Sequence, residues 1–305
     1  MRVVDLFSGA GGLSLGFQQA GFNLVLAVDN WDAALTQYRK YFKHDALKHD
    51  LHDVAGVVNL IKPYKPDIII GGPPCQDFSE AGSRKEGARA QLTSDFASIV
   101  SQCQTDYFVM ENVANIRKSK AFPEVLANFK KAGYGVTQRV LDAAFCGVPQ
   151  TRKRMFVIGA QGEKDDFLGD ELDGALAKKP MSIYDYLGDS LGTEYYFRVP
   201  TNYTRRAVFS IHEPSMTIRA VDRPIPSGYK GNANDSAPLS EARCLTPKER
   251  SYIQTFPKGF KFSGCKTDQN QMIGNAVPVN LAKFVGAALL RYVHAKVKGE
   301  NNASR

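Results

Sequence analysis

Short apolar runs alternate with helical patterns over the first 160 residues, and each run ends in glycine, proline or a polar side chain. Strands are predicted at residues 2–7, 23–28, 67–70, 107–110 and 154–159, and helices at residues 13–20 and 31–42. This alternation predicts an α/β fold in which helices cover both faces of a mostly parallel sheet. In such folds ligands bind at the carboxyl ends of the strands.

Composition narrows the class of protein. The hydrophobic fraction of 43% is high enough to form a large core, which excludes a mainly disordered chain. No apolar stretch approaches the roughly 20 residues of a membrane span, and residues 1–10 lack the pattern of a secretory signal. The 39 Lys and Arg exceed the 31 Asp and Glu by 8, which makes a polyanionic partner plausible.

The five cysteines are Cys75, Cys103, Cys146, Cys244 and Cys265. Their odd number and the lack of a CxxC pair argue against a disulfide framework and against a zinc site. We therefore expect no metal and a cytoplasmic location.

The pattern changes after about residue 160, which predicts two units. Residues 195–240 are rich in Pro, Gly, Asn, Arg and Tyr and show little helical periodicity. We predict one unit from residues 1–178 and 268–305 and a smaller, irregular unit from residues 179–267. A helix should begin after Thr246, with Glu249 completing a capping box, and a final helix should span residues 281–297.

A glycine turn follows the first predicted strand. Residues 5–13 read DLFSGAGGL, and Asp29 follows at the end of the next strand. Backbone N–H groups at a helix start, with an acid about 20 residues later, suit a nucleoside whose ribose the acid holds. The dinucleotide pattern fails because Ser14 replaces its last glycine, so adenosine without a pyrophosphate is favoured.

Reactive side chains follow other predicted strands. Cys75 lies after Gly72-Pro73-Pro74, where two prolines fix the direction of the thiol, and Glu111 comes directly after another strand. Arg152 and Arg154 alternate along an extended segment and should point to one face, as a phosphate or carboxylate site requires. The other four cysteines are read as buried small apolar residues.

The order of these motifs resembles that of the DNA cytosine-5 methyltransferases, the bacterial modification enzymes that use S-adenosylmethionine. The matching segments are DLFSGAGGLSLG at 5–16, GGPPCQDFS at 71–79, ENV at 111–113, QTRKR at 150–154, RCLTPKE at 243–249 and QMIGNAVPVNLA at 271–282. The similarity covers nearly the whole chain. It implies a Rossmann-like methyltransferase fold, with the larger unit catalytic and residues 179–267 as the target-recognition domain.

The resemblance also implies roles for individual residues. Cys75 resembles the nucleophile, Glu111 the acid on the flipped cytosine, and Arg152 and Arg154 the pair that positions the base. The implied cofactor contacts are Phe7, Gly9, Gly11, Gly12, Leu13, Asp29 (Glu in most of the family), Asn30, Asp50, Leu51, Gly72, Pro74, Leu92, Asn275, Ala276 and Val277. The implied DNA contacts are Gln76, Ser79, Arg89, Thr217, Arg219, Arg223, Tyr229 and Lys230.

The implied reaction transfers a methyl group from S-adenosylmethionine to carbon 5 of a flipped-out cytosine in a short duplex DNA sequence. Host protection in a restriction–modification system is the expected role, with a monomeric enzyme and a cognate restriction endonuclease as a genetic partner. Two alternatives stay open: a transfer-RNA cytosine-5 methyltransferase and a catalytically dead DNA-binding relative.

Overall fold

The computed structural model describes residues 1–74, 88–202 and 204–303, with side chains except at 88–90 and 299–303. The strands are β1 (Arg2–Leu6), β2 (Asn23–Asp29), β3 (Asp45–Lys48), β4 (Ile68–Gly71), β5 (Tyr107–Val113), β6 (Tyr134–Asp142), β7 (Gln150–Thr151), β8 (Lys153–Gln161), β9 (Tyr195–Phe197), β10 (Val208–Ser210), β11 (Ser215–Met216) and β12 (Arg243–Cys244). The helices are α1 (Gly12–Ala20), α2 (Asp32–Tyr38), α3 (Val54–Ile61), α4 (Ala88–Cys103), α5 (Phe122–Lys131), α6 (Gly169–Gly174), α7 (Ile183–Leu187), α8 (Pro247–Ile253), α9 (Lys266–Asn275) and α10 (Val279–Ala303).

A seven-stranded sheet in the order β3-β2-β1-β4-β5-β8-β6 forms the centre of the larger unit. Strands β1 to β5 pair in parallel, which confirms the predicted mostly parallel sheet. β8 runs antiparallel to both β5 and β6, which is the exception in the mostly parallel sheet. Ten residues join β6 to β8, too few for the helical crossover that parallel neighbours need.

Both faces of the sheet are buried under helices. The triple isoleucine of β4 shows this, because Ile68 and Ile70 enter the core on one face and Ile69 enters the core on the other. The first core includes Phe17 of α1 and Leu281 of α10, and the second is built with helices α3, α4 and α5. The segment Lys266–Lys298 is long and apolar enough to cross a membrane, yet 61% of its apolar window is buried in the protein, as in a core helix.

The smaller unit is a three-stranded sheet, β10-β9-β12, with its own apolar core. Helix α8 begins after Thr246 in the predicted capping box: Glu249 N donates to Thr246 Oγ1, and Thr246 N donates to the Glu249 carboxylate. Ile253 and Ile273 belong to this core, whereas Phe256 and Phe260 pack on α2 in the larger unit. Residues on each side of the predicted boundary at residue 267 therefore pack in the core of the other unit.

Candidate active site

Three strand ends bring the predicted site residues together. In the parallel ladder Leu6 of β1 pairs with Gly71 of β4, and Gly71 pairs with Met110 of β5. The residues that follow these three are Phe7, Gly72 and Glu111, which therefore lie side by side at the carboxyl edge of the sheet. The glycine turn, the Pro-Pro loop and the predicted acid therefore begin at one edge of the sheet.

Glu111 is a buried carboxyl held by a guanidinium. Its Oε1 lies 2.9 Å from Nε of Arg154, and the two side chains are only 11% and 15% exposed. The antiparallel pairing of Val113 with Arg154 brings them together across β5 and β8. Burial raises the pKa of Glu111 above its ordinary value, while Arg154 and then Arg152 oppose that rise.

The loop after β4 lies against Glu111. A Cβ atom added to Gly72 would lie 3.1 Å from Oε2 of Glu111, so this position has little room for a larger residue. Asn112 Nδ2 donates to the carbonyl oxygen of Pro73 at 3.1 Å, and Asn112 is buried. This bond ties the Pro-Pro loop to β5, a role that sequence analysis did not assign to Asn112. The sequence feature that could have revealed this role is the position of Asn112 between Glu111 and the end of β5.

Four predicted residues fall outside this description. Cys75, Gln76 and Ser79 lie outside the described residues, and so does the side chain of Arg89. The loop is described up to Pro74, which is half-buried, and again from the backbone of α4.

Arg152 does not lie beside Arg154 as a free guanidinium. Its Nη1 donates to the Ile218 carbonyl at 2.9 Å, and its Nη2 donates to the Gly274 and Ala276 carbonyls at 2.9 and 3.2 Å. The side chain is 3% exposed and sits where the short strand β7 gives way to β8. Arg152 thus joins the smaller unit to the loop after α9. Its positive charge also lowers the pKa of Glu111.

Two buried glutamines extend this junction, and sequence analysis missed both. Gln150 Nε2 donates to Gln254 Oε1 at 2.7 Å, and the backbone N–H of Ile218 donates to Gln150 Oε1 at 2.8 Å. Gln254 Nε2 donates onward to the Ile273 carbonyl at 2.6 Å. A Cβ on Gly274 would collide with the backbone of Arg219 and Ala220, so the two units touch backbone to backbone.

The glycine turn has the backbone that its sequence requires. Gly9 and Gly11 have φ of 52° and 92°, and Phe7 has φ of 58° although it is not glycine. Gly9 N and Trp31 N donate to the two carboxylate oxygens of Asp29 at 2.7 and 2.8 Å. Burial raises the pKa of Asp29, and these backbone bonds oppose the rise. Asp29 therefore joins the turn to the end of β2.

The segment after α9 packs on the same turn. A Cβ on Gly12 would collide with the carbonyl oxygen of Val277 and lie 3.2 Å from Cβ of Ala276. Gly12, Ala276 and Val277 thus meet although 264 positions separate Gly12 from Ala276. Asn275, the last residue of α9, is exposed.

The other predicted cofactor residues surround this turn in different ways. Asn30 and Asp50 are exposed, and Asp50 Oδ1 accepts a bond from His52 N at 3.0 Å. Leu13 and Leu51 point into the two cores, so their side chains pack under the turn. Leu92 is half-buried against the second core.

The predicted DNA contacts divide into exposed and internal residues. Arg219, Arg223 and Lys230 are exposed. Thr217 Oγ1 donates to the Thr151 carbonyl at 2.8 Å, beside the junction. Tyr229 is 3% exposed, and its hydroxyl donates to Asp235 at 2.6 Å, so its side chain packs in the core of the smaller unit.

Burial raises the pKa of Cys146 to about 12 and that of half-buried Cys103 to about 11, so neither thiol ionises readily. Cys244 is also half-buried, but Cys265 is exposed at the start of α9, contrary to expectation.

In the described part of the chain no three His, Cys, Asp or Glu side chains cluster as metal ligands would.

The family comparison identifies the chain as a DNA-modifying methyltransferase. Residues 1–291 match the model of the C-5 cytosine-specific DNA methylase family, and the chain belongs to this family. It is a DNA cytosine-5 methyltransferase, which confirms the expectation from the motifs.

Two relatives are similar over nearly their full length. The chain is 52% identical to the Type II methyltransferase M.HindV of Haemophilus influenzae, covering 96% of this chain and 97% of that protein. It is also 52% identical to the Type II methyltransferase M.HgiDI of Herpetosiphon aurantiacus, covering 96% of each. Among solved structures, S. pombe Dnmt2 methyltransferase aligns with a TM-score of 0.71 at 17% identity, covering 96% of this chain and 99% of that one. That likeness confirms the fold.

Proposed function

We propose that the enzyme methylates carbon 5 of a cytosine flipped out of a short duplex DNA sequence, with S-adenosylmethionine as donor, and so protects host DNA in a restriction–modification system. The observation that carries this proposal is the buried Glu111–Arg154 pair at the carboxyl edge of the sheet. The Type II methyltransferases to which the chain is similar support the protective role.

The glycine turn and its neighbours fit S-adenosylmethionine. The Asp29 carboxylate accepts backbone bonds from Gly9 and Trp31, and the Asn30 backbone also acts on it, so of its roughly four lone-pair sites at least one stays for a ribose hydroxyl. Space is open beside Gly9, where an added Cβ would meet nothing within 4 Å among the described residues. The pyrophosphate-free layout of the turn agrees with an adenosine that carries a sulfonium side chain. When bound, S-adenosylmethionine supplies an electrophilic methyl group.

Glu111 and Arg154 are suited to hold the cytosine ring. Burial raises the pKa of Glu111, so its carboxyl takes up a proton more readily than an exposed glutamate and can pass that proton to N3 of the ring. Arg154 keeps that carboxyl in place through the 2.9 Å contact and is 15% exposed, so its remaining N–H groups can reach a carbonyl oxygen on the base.

We propose Cys75 as the nucleophile. Its thiolate forms a bond to carbon 6, and the electron pair displaced from the C5–C6 double bond moves onto N3, where Glu111 supplies a proton. Carbon 5 becomes electron-rich and attacks the methyl carbon, the bond from that carbon to sulfur breaks with its electron pair left on sulfur, and the proton on N3 returns to Glu111. A base then removes the proton on carbon 5, and that electron pair restores the double bond and expels the Cys75 thiolate. The Asn112–Pro73 bond anchors the loop that leads to Cys75.

Bisulfite sequencing of DNA from cells that express the chain tests the proposal and reveals the target. We expect conversion-resistant cytosines in one short sequence, and none in cells that express Glu111→Gln. As a matched control, Glu124→Gln changes an exposed glutamate in the first turn of α5 and should leave the pattern unchanged. Methyl incorporation into transfer RNA but not into DNA would contradict the proposal, and so would unmodified DNA.

A further inference from the structure

The smaller unit contains a recess that is rich in arginine. It lies between β9 and the segment after β11 and is open to solvent. Arg198, Arg219 and Arg250 line it together with a single carboxylate, Asp222. Apolar side chains, including those of Phe197 and Val221, form the rest of the wall. Three cations facing one acid leave a local excess of positive charge.

Arg250 is fully engaged within the fold. It is 4% exposed, donates to Asn270 and to the Arg219 carbonyl, and has Asp222 at 3.7 Å. Asp222 therefore compensates Arg250, and its charge is not free for the other two arginines.

Arg198 has no such compensation. Its Nη2 donates to the Thr217 carbonyl at 3.3 Å, which is long for this bond, and no carboxylate of the described residues lies within 4.0 Å of it. The side chain is half-buried, and burial, then Arg219 and Arg250, lower its pKa to about 10. A partly buried cation beside like charges is stabilised by an anion that enters from solvent.

Thr217 and Ile218, two consecutive residues, connect the recess to the active site. Thr217, which accepts the Arg198 bond, also donates to the Thr151 carbonyl. The next residue, Ile218, is held by Arg152, whose charge acts on Glu111. The recess and Glu111 are therefore linked by the Arg198–Thr217 bond, the Arg152–Ile218 bond and the charge of Arg152.

We propose that Arg198 and Arg219 bind one backbone phosphate of the target strand next to the flipped cytosine. This inference rests on the proposed function, because it takes duplex DNA as the substrate. A guanine edge also accepts two arginine N–H bonds, but it is neutral and does not relieve the excess charge. A phosphate supplies both the acceptors and the charge.

Salt-dependent binding of duplex DNA, measured by fluorescence anisotropy, tests the phosphate contact. Arg198→Gln should weaken binding about tenfold to a hundredfold on cognate and non-cognate duplexes alike. The slope of log affinity against log salt should become shallower by about 0.9, the value for one phosphate. Lys131→Gln is the matched control, because Lys131 is exposed at the end of α5, before β6 and at the opposite edge of the sheet.

A second binding experiment identifies which phosphate is contacted. Replacing single phosphates by neutral methylphosphonates should reveal one position near the target cytosine that weakens wild-type binding but leaves Arg198→Gln unaffected. Arg219→Gln, which alters an exposed side chain, serves if Arg198→Gln does not fold. An unchanged salt slope with relaxed sequence preference would identify a base contact and overturn the proposal. Wild-type protein that neither binds nor methylates DNA would instead overturn the proposed function.

Discussion

Nε of Arg154 lies 2.9 Å from Oε1 of Glu111, and both side chains are largely buried at the carboxyl edge of the central sheet. The carboxyl is held between two opposing influences, because burial favours its neutral form and the guanidinium favours its charged form. Arg154 thereby sets how readily Glu111 gives up a proton.

Arg154→Met should shift the pH dependence of methylation. Removal of the guanidinium leaves burial unopposed by its main counterweight, so the pKa of Glu111 should rise further. If Glu111 works as an acid, the limb on which kcat/KM falls at high pH should move to higher pH, even though the rate itself is lower. Initial rates from pH 5.5 to 9 measure this. A limb that moves to lower pH, or stays fixed, would remove Glu111 from the role of acid.

DNA with 5-fluorocytosine at the target should trap the enzyme. Fluorine on carbon 5 cannot leave as a cation, so the reaction should stop after methyl transfer with Cys75 still bonded to carbon 6. The complex should survive a denaturing gel and require S-adenosylmethionine. Cys75→Ser should abolish it, because a serine hydroxyl is far less ionised than a thiol. Cys103→Ser should still form it, and a trap that persists in Cys75→Ser would refute the assignment.

Asp29→Ala should weaken S-adenosylmethionine binding tenfold or more, since bonds to a charged group contribute about 1.5–3 kcal/mol each. The same change removes the acceptor for Gly9 N and Trp31 N, so part of the loss should come from loosening of the turn. Asp29→Asn keeps one acceptor oxygen and should bind with intermediate affinity. Calorimetry measures all three proteins, with Asp32→Ala as an exposed control. Unchanged affinity in Asp29→Ala would exclude Asp29 from the site.

Asp5 should make folding stability depend on pH. It is fully buried, accepts a 2.5 Å bond from Ser14 Oγ, and burial raises its pKa to about 7. The folded protein therefore retains a proton that the unfolded chain releases near pH 4, so stability is lost as pH rises from about 4 to 7. The wild type should lose up to about 4 kcal/mol over this range relative to Asp5→Asn. Urea unfolding of both proteins at pH 5 and pH 8 should show about 3 kcal/mol of this loss, because part of it falls below pH 5. Equal changes in stability in the two proteins would contradict the prediction.

Local sequence patterns predicted those parts of the site that depend on strand ends. Glu111, Gly72 and Phe7 were expected at one edge because each follows an apolar run, and parallel pairing places them there. The contact of Gln150 with Gln254 spans 104 positions and follows from packing, which no local pattern encodes. Arg152 was expected beside Arg154 from alternation along an extended chain. The charge of Arg152 does act on Arg154 and Glu111, but its bonds to the Ile218, Gly274 and Ala276 carbonyls follow from packing between distant segments.

The contact of Gly274 with Arg219 and Ala220, together with the three carbonyls held by Arg152, leaves little freedom at the seam between the units. If residues 179–267 bind the target sequence, as the resemblance implies, these contacts fix where that unit lies relative to Glu111. The distance along DNA between the recognised bases and the methylated cytosine should then be set by the protein before DNA binds.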